Sequence, residues 1–376
     1  MNGGIIGKPE AIGVSRKALE AAIKLLEEQR QANLHDGAQL FVARKGVPVL
    51  DVAIGEARPG FPMRTDSIML WFSSTKPLTA IAIARLMEKG QLSLDDKVRK
   101  YIPGFGNGKE NATIKHVLTH MGGFPMNMFP FHRYGWEDNI RYISESPAEW
   151  EPGTAAGYHA HSGWCVLGEV VRVADGRPIE KYLYEDVFQP LGMKDTTLGL
   201  TQERMESVKD RLSDVVDKAI PNPPPHFRND PQARTRVLPG SNGFGPAHDL
   251  AKFYLLMWNG GEWNGKRIIK KETHALFTAV HRRDIVDRTF SALWGREVKP
   301  VWALGMHKGT DESIRTDMGR LCTSAAYGHG GNLSSIGFVE PTRDLVVVTV
   351  TNGQPTGPEN TRRLCVISDL IHEACS

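Results

Sequence analysis

Cysteine is scarce, with only four in 376 residues: Cys165, Cys322, Cys365 and Cys375. Their spacing fits neither a zinc site nor a dense disulfide framework, so free thiols in a reducing compartment are expected. Long apolar runs are missing as well. No stretch reaches the roughly twenty apolar residues that span a bilayer. The N-terminal residues 1–8 have no apolar core of the signal-peptide kind, and a cytoplasmic location is expected. Charge of one sign is not in excess. The net charge is +3 with no basic block or stripe, which removes the electrostatic case for nucleic acid or an anionic membrane surface. No Gly-x-Ser-x-Gly occurs, so the nucleophile elbow of α/β-hydrolases is excluded. No Walker lysine follows the glycine-rich Gly240–Gly245, which reads as a cleft-edge loop rather than a phosphate cradle. There is no internal repeat, and nothing in the pattern speaks to oligomeric state.

What is present describes an ordinary globular protein, 40% hydrophobic and 24% charged. The length is too great for one simple core, and two lobes are expected. Leu19, Ile23, Leu26 and Ala32 recur at helical spacing and predict a helix over 15–33. Strands are predicted at 39–44 and 48–53, with Lys45-Gly46-Val47 as the turn. A helix begins just after Ser73 and ends near Gly90, and Leu92 to Val98 leads into a short helix. From 100 to 240 the pattern predicts helices at 114–120, 140–144, 164–174, 179–188 and 202–217. Gly/Pro loops separate them, including the stiff run Pro221–Pro225. A helix is predicted over 241–258. Strands return at 301–306, 333–340 and 345–351, the last a β-branched run suited to a central position. A final helix covers about 360–373. Residues 1–95 and 241–376 thus read as one discontinuous α/β domain, and 96–240 as a helical, loop-rich insertion.

Three stretches carry chemistry. Ser73 stands between the apolar run Ile68–Phe72 and the helical pattern beginning at Leu78. Lys76 follows three residues later, about one turn on and on the same face. A hydroxyl beside an amine is a nucleophile beside its potential base. Ser-x-x-Lys alone is weak, expected roughly once by chance in such a chain, but Ser73 is the only serine here with lysine at that spacing. The second stretch is Glu151–Ala160, where Pro152, Gly153 and Gly157 hold Tyr158 on a loop. A phenol there becomes a base only beside a cation such as Lys76. The third is Tyr327-Gly328-His329-Gly330-Gly331-Asn332, ahead of a strand. Small residues on a strand edge admit a substrate and leave backbone N–H groups free to bind an oxyanion. His116 and His120 have the i,i+4 spacing that two zinc ligands use, but no glutamate accompanies them and no metal is expected. Trp71, Phe124, Phe129, Phe131, Tyr134 and Trp136 could line an apolar pocket.

Together these stretches resemble the serine β-lactamase and penicillin-binding-protein superfamily, and the family VIII carboxylesterases within it. Thr113–Gly123 (TIKHVLTHMGG) and Pro190–Thr196 (PLGMKDT) are similar to two further family segments, and the likeness runs from about residue 15 to 375. The resemblance implies a β-lactamase-like α+β (α/β) fold. An antiparallel sheet would be flanked by N- and C-terminal helices, with an inserted helical domain. It implies Ser73 as the acylated nucleophile, Lys76 as the cation that shares its proton, and Tyr158 as general base and acid. The backbone N–H groups of Ser73 and Asn332 would form the oxyanion hole. His329, Gly330, Gly331, His159 and Phe124 would border the substrate. No cofactor is implied.

Two departures shift the expected substrate. Tyr158-His159-Ala160 replaces Tyr-x-Asn, removing an amide that would orient a substrate amide. His329-Gly330-Gly331 replaces Lys-Thr-Gly, so a fixed cation for a β-lactam carboxylate is gone or depends on pH. The resemblance so qualified implies a carboxylesterase acting on a small-molecule ester through an acyl-enzyme. The alternatives are an acyltransferase, a β-lactamase or D-aminopeptidase-like amidase, and a non-catalytic binding protein on the same fold.

Overall fold

A computed structural model describes residues 1–125, 130–309 and 317–375. Seven strands of one sheet come from the two ends of the chain. They are β1 (Asn2–Ile5), β2 (Gly37–Arg44), β3 (Val47–Arg58), β4 (His307–Lys308), β5 (Tyr327–Gly331), β6 (Ser335–Glu340) and β7 (Leu345–Thr351). Their order is β1-β3-β2-β7-β6-β5-β4, antiparallel throughout. The β2–β3 hairpin turns at Lys45 and Gly46, both at positive φ, as a two-residue type I′ loop requires. The valine-rich β7 is buried along its whole length and lies mid-sheet. A β-branched run of this kind suits a strand covered on both faces, with each buried valine contributing roughly 1.5–3 kcal/mol.

Helices cover both faces. On one lie α1 (Arg16–Gln31) and the C-terminal helix, packing Leu19, Leu26, Leu364 and Ile367 with Leu40, Val52 and Val347. Ser15 caps α1, its hydroxyl accepting from the Ala18 N–H. On the other face α2 (Lys76–Glu88), α3 (Ser162–Asp175) and α4 (Ala247–Trp258) pack into one large core with Phe41, Val346 and Val348. The C-terminal helix, Gly357–Ala374, is α5.

Several elements differ from the sequence reading. The helix expected over 202–217 stops at Ser207. A 3-10 turn at Lys209–Arg211 and a short strand, Val216–Asp217, follow, because that segment pairs with Gly353–Gln354. The helix expected from 241 starts at Ala247, after Pro246. Gly243–Gly245 instead forms a strand between Met69–Leu70 and Thr197–Leu198. Only glycine fits there, since a Cβ on Gly243 would come within 2.6 Å of Thr75 Oγ1, and one on Gly245 within 2.6 Å of Trp71. The strand expected at 301–306 is an irregular segment with a bridge at Trp302. Gly305, at φ +78°, breaks it, and β4 begins at His307. Leu92 to Val98 is mostly turn, with one 3-10 turn at Val98–Lys100. The segment before β6, expected at a strand edge, is itself the strand β5, and β1 was not foreseen.

Candidate active site

Ser73 is presented by an abrupt change of direction. Met69–Leu70 is held in the small sheet, and the chain then turns through Phe72 at φ +49°, an uncommon conformation for a bulky residue. Hydrogen bonds fix the turn from several sides. Trp71 N–H donates to Gly243 O (2.9 Å), Ser335 Oγ donates to Trp71 O (2.8 Å), and Thr75 Oγ1 donates to Phe72 O (2.6 Å). A 3-10 turn, Phe72–Thr75, leads into α2, whose first residue is Lys76. Lys76 therefore sits one turn beyond Ser73, with Nζ 3.0 Å from the Ser73 Oγ.

Tyr158 reaches the same oxygen from the loop before α3, Oη to Ser73 Oγ 2.9 Å. Its loop is fixed by a charge pair that sequence reading missed. The Asp287 carboxylate accepts the Tyr158 N–H at 3.1 Å and the Phe290 N–H at 3.1 Å, and pairs with Arg282 at 2.9 Å. Both members of that pair are 0% exposed. Arg282 also donates to Thr119 O. The Tyr158 ring stacks on Phe290 (centroids 4.9 Å) and Trp302 (6.0 Å). Only Tyr158 carried a sequence signal. Asp287, Phe290 and Trp302 lie more than a hundred residues away, in segments with no motif.

Protonation follows from burial. Lys76 is 0% exposed and donates to two backbone carbonyls, Ala160 O (2.9 Å) and Gly240 O (2.7 Å). Burial holds its amine well below the ordinary lysine range, and the nearby Arg228 charge pushes the same way. A neutral amine has two N–H bonds and one lone pair. In its neutral form the two carbonyls take the N–H bonds, and the lone pair is left for the Ser73 hydroxyl. Burial pushes the Tyr158 phenol up, with the Ser73 hydrogen bond only partly opposing, so it is a protonated donor at neutral pH. Both directions run against the sequence expectation of a cationic Lys76 beside a basic Tyr158.

The strand β5 closes the site. Ser74 Oγ donates to His329 O (2.9 Å), and a Cβ on Gly331 would come within 2.2 Å of Trp71 O. Glycine at 331 is what lets the strand lie against the serine turn, with Asn332 just beyond and its carbonyl held by Gln354 Nε2. His329 is 2% exposed, and burial above all holds it well below the usual histidine range. It is a neutral ring, not the pH-dependent cation that the sequence left open.

Two expected substrate contacts lie elsewhere. Phe124 is 0% exposed and packs edge-on against Phe105 at 5.4 Å. His159 is 1% exposed, stacked on Trp150 and tilted against Phe124, both at 5.5 Å. Trp71 is fully buried, Trp136 is bonded to Glu169, and Phe129 lies outside the described residues. Phe131 does border the cleft loop, 5.6 Å from the His161 ring. His116 serves the N-terminal cap of its helix and His120 accepts the His159 N–H. Among the described residues no cluster of three metal-ligating side chains occurs. None of the described helices is long and apolar enough to cross a membrane.

A family profile described as Beta-lactamase matches residues 22–368. The chain belongs to the beta-lactamase family. Among curated relatives, an N-acetylmuramyl-L-alanine amidase of Bacillus subtilis is 24% identical, over 92% of this chain and 83% of the relative. A putative D-alanyl-D-alanine carboxypeptidase of Escherichia coli is 24% identical, over 74% of this chain and 67% of that protein. Among solved structures, a family VIII carboxylesterase superposes with a TM-score of 0.79 at 25% identity, covering 96% of this chain and 99% of that one. The protein has the β-lactamase-like fold and is a serine hydrolase of the β-lactamase and penicillin-binding-protein superfamily.

Proposed function

We propose that this beta-lactamase-family chain is a carboxylesterase working through an acyl-enzyme on Ser73. The observation that carries the choice of ester is the neutral, buried His329, its ring 6.1 Å from that of Tyr158, with Ala160 two residues after Tyr158. A β-lactam or peptide carboxylate would find no fixed cation at 329, and a substrate amide no side-chain amide at 160. An ester needs neither. The resemblance to a family VIII carboxylesterase supports this reading.

The proton path follows from the hydrogen bonds. Ser73 Oγ attacks the ester carbonyl as its proton passes to the Lys76 amine, and the backbone N–H groups of Ser73 and Asn332 receive the oxyanion. On collapse, Tyr158 gives its phenolic proton to the departing alkoxide, and the alcohol leaves. The enzyme now holds an acyl-Ser73 ester, a Lys76 ammonium and a Tyr158 phenolate. The phenolate takes a proton from the incoming water. The ammonium returns its proton to Ser73 Oγ as the acid departs.

Mass spectrometry of the intact protein after brief exposure to a panel of ethyl and p-nitrophenyl esters tests this. An acyl adduct on Ser73 is expected, and Ser73→Ala should lower kcat by about 10⁴ or more. Wild-type rates in Ser73→Ala would remove the nucleophile. The amidase and carboxypeptidase relatives favour a second reading, amide cleavage at the same serine. Turnover of nitrocefin or a D-alanyl-D-alanine peptide faster than of any ester in the panel would establish it. Acyl transfer to an added alcohol in preference to water would instead mark an acyltransferase.

A further inference from the structure

Arg228 is a buried cation without an anion among the described residues. It lies in the single turn Phe227–Asn229 that follows the Pro221–Pro225 run. It is 5% exposed, yet among the described residues no carboxylate comes within salt-bridge distance. Its neighbour Arg234 pairs with Asp214 at 2.6 Å, and Asp230 is taken up capping Gln232 N. The guanidinium of Arg228 has one side-chain partner, the neutral Asn242 Oδ1 at 3.3 Å, and its Nε is buried with none. A buried guanidinium ordinarily sits against a carboxylate or phosphate, because desolvation without a counter-charge is costly.

The position of this cation relates it to catalysis. Its guanidinium carbon is 5.9 Å from the ring centre of Phe72, the residue before Ser73. Asn242, which it contacts, belongs to the loop whose Gly240 carbonyl holds Lys76. The rings around it supply no negative charge. His161 and His132 are held neutral by burial first and the Arg228 charge second. Among the described residues the corner is positive and holds no anion.

Orientation follows from the proposed reaction. The departing alcohol must reach Tyr158 Oη, on the wall built by Phe290 and Trp302. An acyl chain leaving Ser73 on the side away from Tyr158 would have Phe72, the neighbour of Ser73, and the guanidinium 5.9 Å from its ring as the nearest charged corner. Resting on the esterase reading above, we propose that Arg228 is the anion-binding end of an acyl subsite. The preferred substrates would then be esters whose acyl chain carries a distal carboxylate.

The test compares monoethyl esters of dicarboxylic acids, glutaric to suberic, with ethyl esters of the matching monocarboxylic acids. At the best chain length the hemiester is expected to exceed the neutral ester in kcat/KM by at least about tenfold, as a charge-assisted pair allows. The preference should shrink with added salt. R228Q, which keeps hydrogen bonding to Asn242 within reach, should lower kcat/KM for the hemiester at least about tenfold more than for the neutral ester. Arg228→Lys should keep part of the preference. Without any variant, the free diacid of that length should compete with neutral-ester hydrolysis by the wild type, and its diamide should not. Neutral esters preferred across the series, with an acyl adduct on Ser73, overturn the Arg228 subsite and leave the esterase reading standing. Equal losses on both substrates in R228Q also overturn the subsite. Hydrolysis of neither class overturns both.

Discussion

Two walls meet at Ser73, and they treat charge in opposite ways. The wall that carries Tyr158 is compensated. Arg282 faces Asp287, and the carboxylate also takes two backbone N–H groups. The wall that carries Lys76 is not. Among the described residues its two basic side chains, Lys76 and Arg228, have no carboxylate partner and hydrogen-bond to carbonyls, an amide and a hydroxyl. A compensated buried pair stays ionised and fixes geometry. An uncompensated amine sheds its proton instead and becomes a base, while a guanidinium cannot do so within the working pH range. One wall therefore holds a phenol still, and the other prepares an amine to accept a proton.

The largest effects come from breaking the uncompensated wall. Lys76→Met removes the proton acceptor and should lower kcat by about 10³ or more with Ser73 still in place. Lys76→Arg should be no better, since arginine stays charged. The wild-type rate should be full where the amine is neutral and fall as pH drops through its pKa. Burial depresses that pKa, so the plateau should extend well below the ordinary lysine range. A kcat/KM profile that instead rises only in the ordinary lysine range would show Lys76 to be a cation at neutral pH.

Next in size is the phenol. Tyr158→Phe keeps the stack and loses the donor. The expected fall in kcat is about 10² for ethyl esters, whose alkoxide needs a proton, and smaller for p-nitrophenyl esters, whose leaving group does not. Equal losses on both would point to packing rather than proton donation.

Asp287 tests the compensated wall directly. Asp287→Ala strands Arg282 as a buried lone charge, and a loss of about 3–5 kcal/mol is expected in urea unfolding. A double variant, Arg282→Met with Asp287→Leu, should recover much of that stability, because no charge is left unpaired. Activity should not recover with it, since the Tyr158 N–H still lacks its carboxylate. Activity that tracks stability through the pair would mean that Asp287 only props up the fold.

How much of this was legible in the sequence depended on range. The Ser73–Lys76 relation spans one helical turn, and the 3.6-residue period exposes it. Tyr158 was legible because Pro152, Gly153 and Gly157 mark a loop and the surrounding motifs set its place. β7 announced itself through Val346–Val350. Arg282, Asp287 and Arg228 carried no signal, because what matters about them is burial and the presence or absence of a partner far along the chain. Protonation was misread for the same reason. Only the folded state shows that the Lys76 amine meets two carbonyls and, among the described residues, no acid. The helix over 241–258 was drawn too long because the apolar residues after Pro246 are helical, while Gly243–Gly245 obeys a steric demand set by Thr75 and Trp71.

The smallest effect should separate the two means by which the compensated wall holds Tyr158. Asp287 fixes the backbone of the loop, and Phe290 lies 4.9 Å from the ring, nearly parallel at 25°. Such a stack is worth about 0.5–1.5 kcal/mol. Phe290→Ala should therefore lower kcat by no more than about tenfold, with Trp302 still backing the ring. Phe290 also borders the alcohol side of the proposed cleft. A rise in KM confined to esters of bulky alcohols would assign it to substrate contact. A fall in kcat uniform across alcohols would assign it to aiming the phenol.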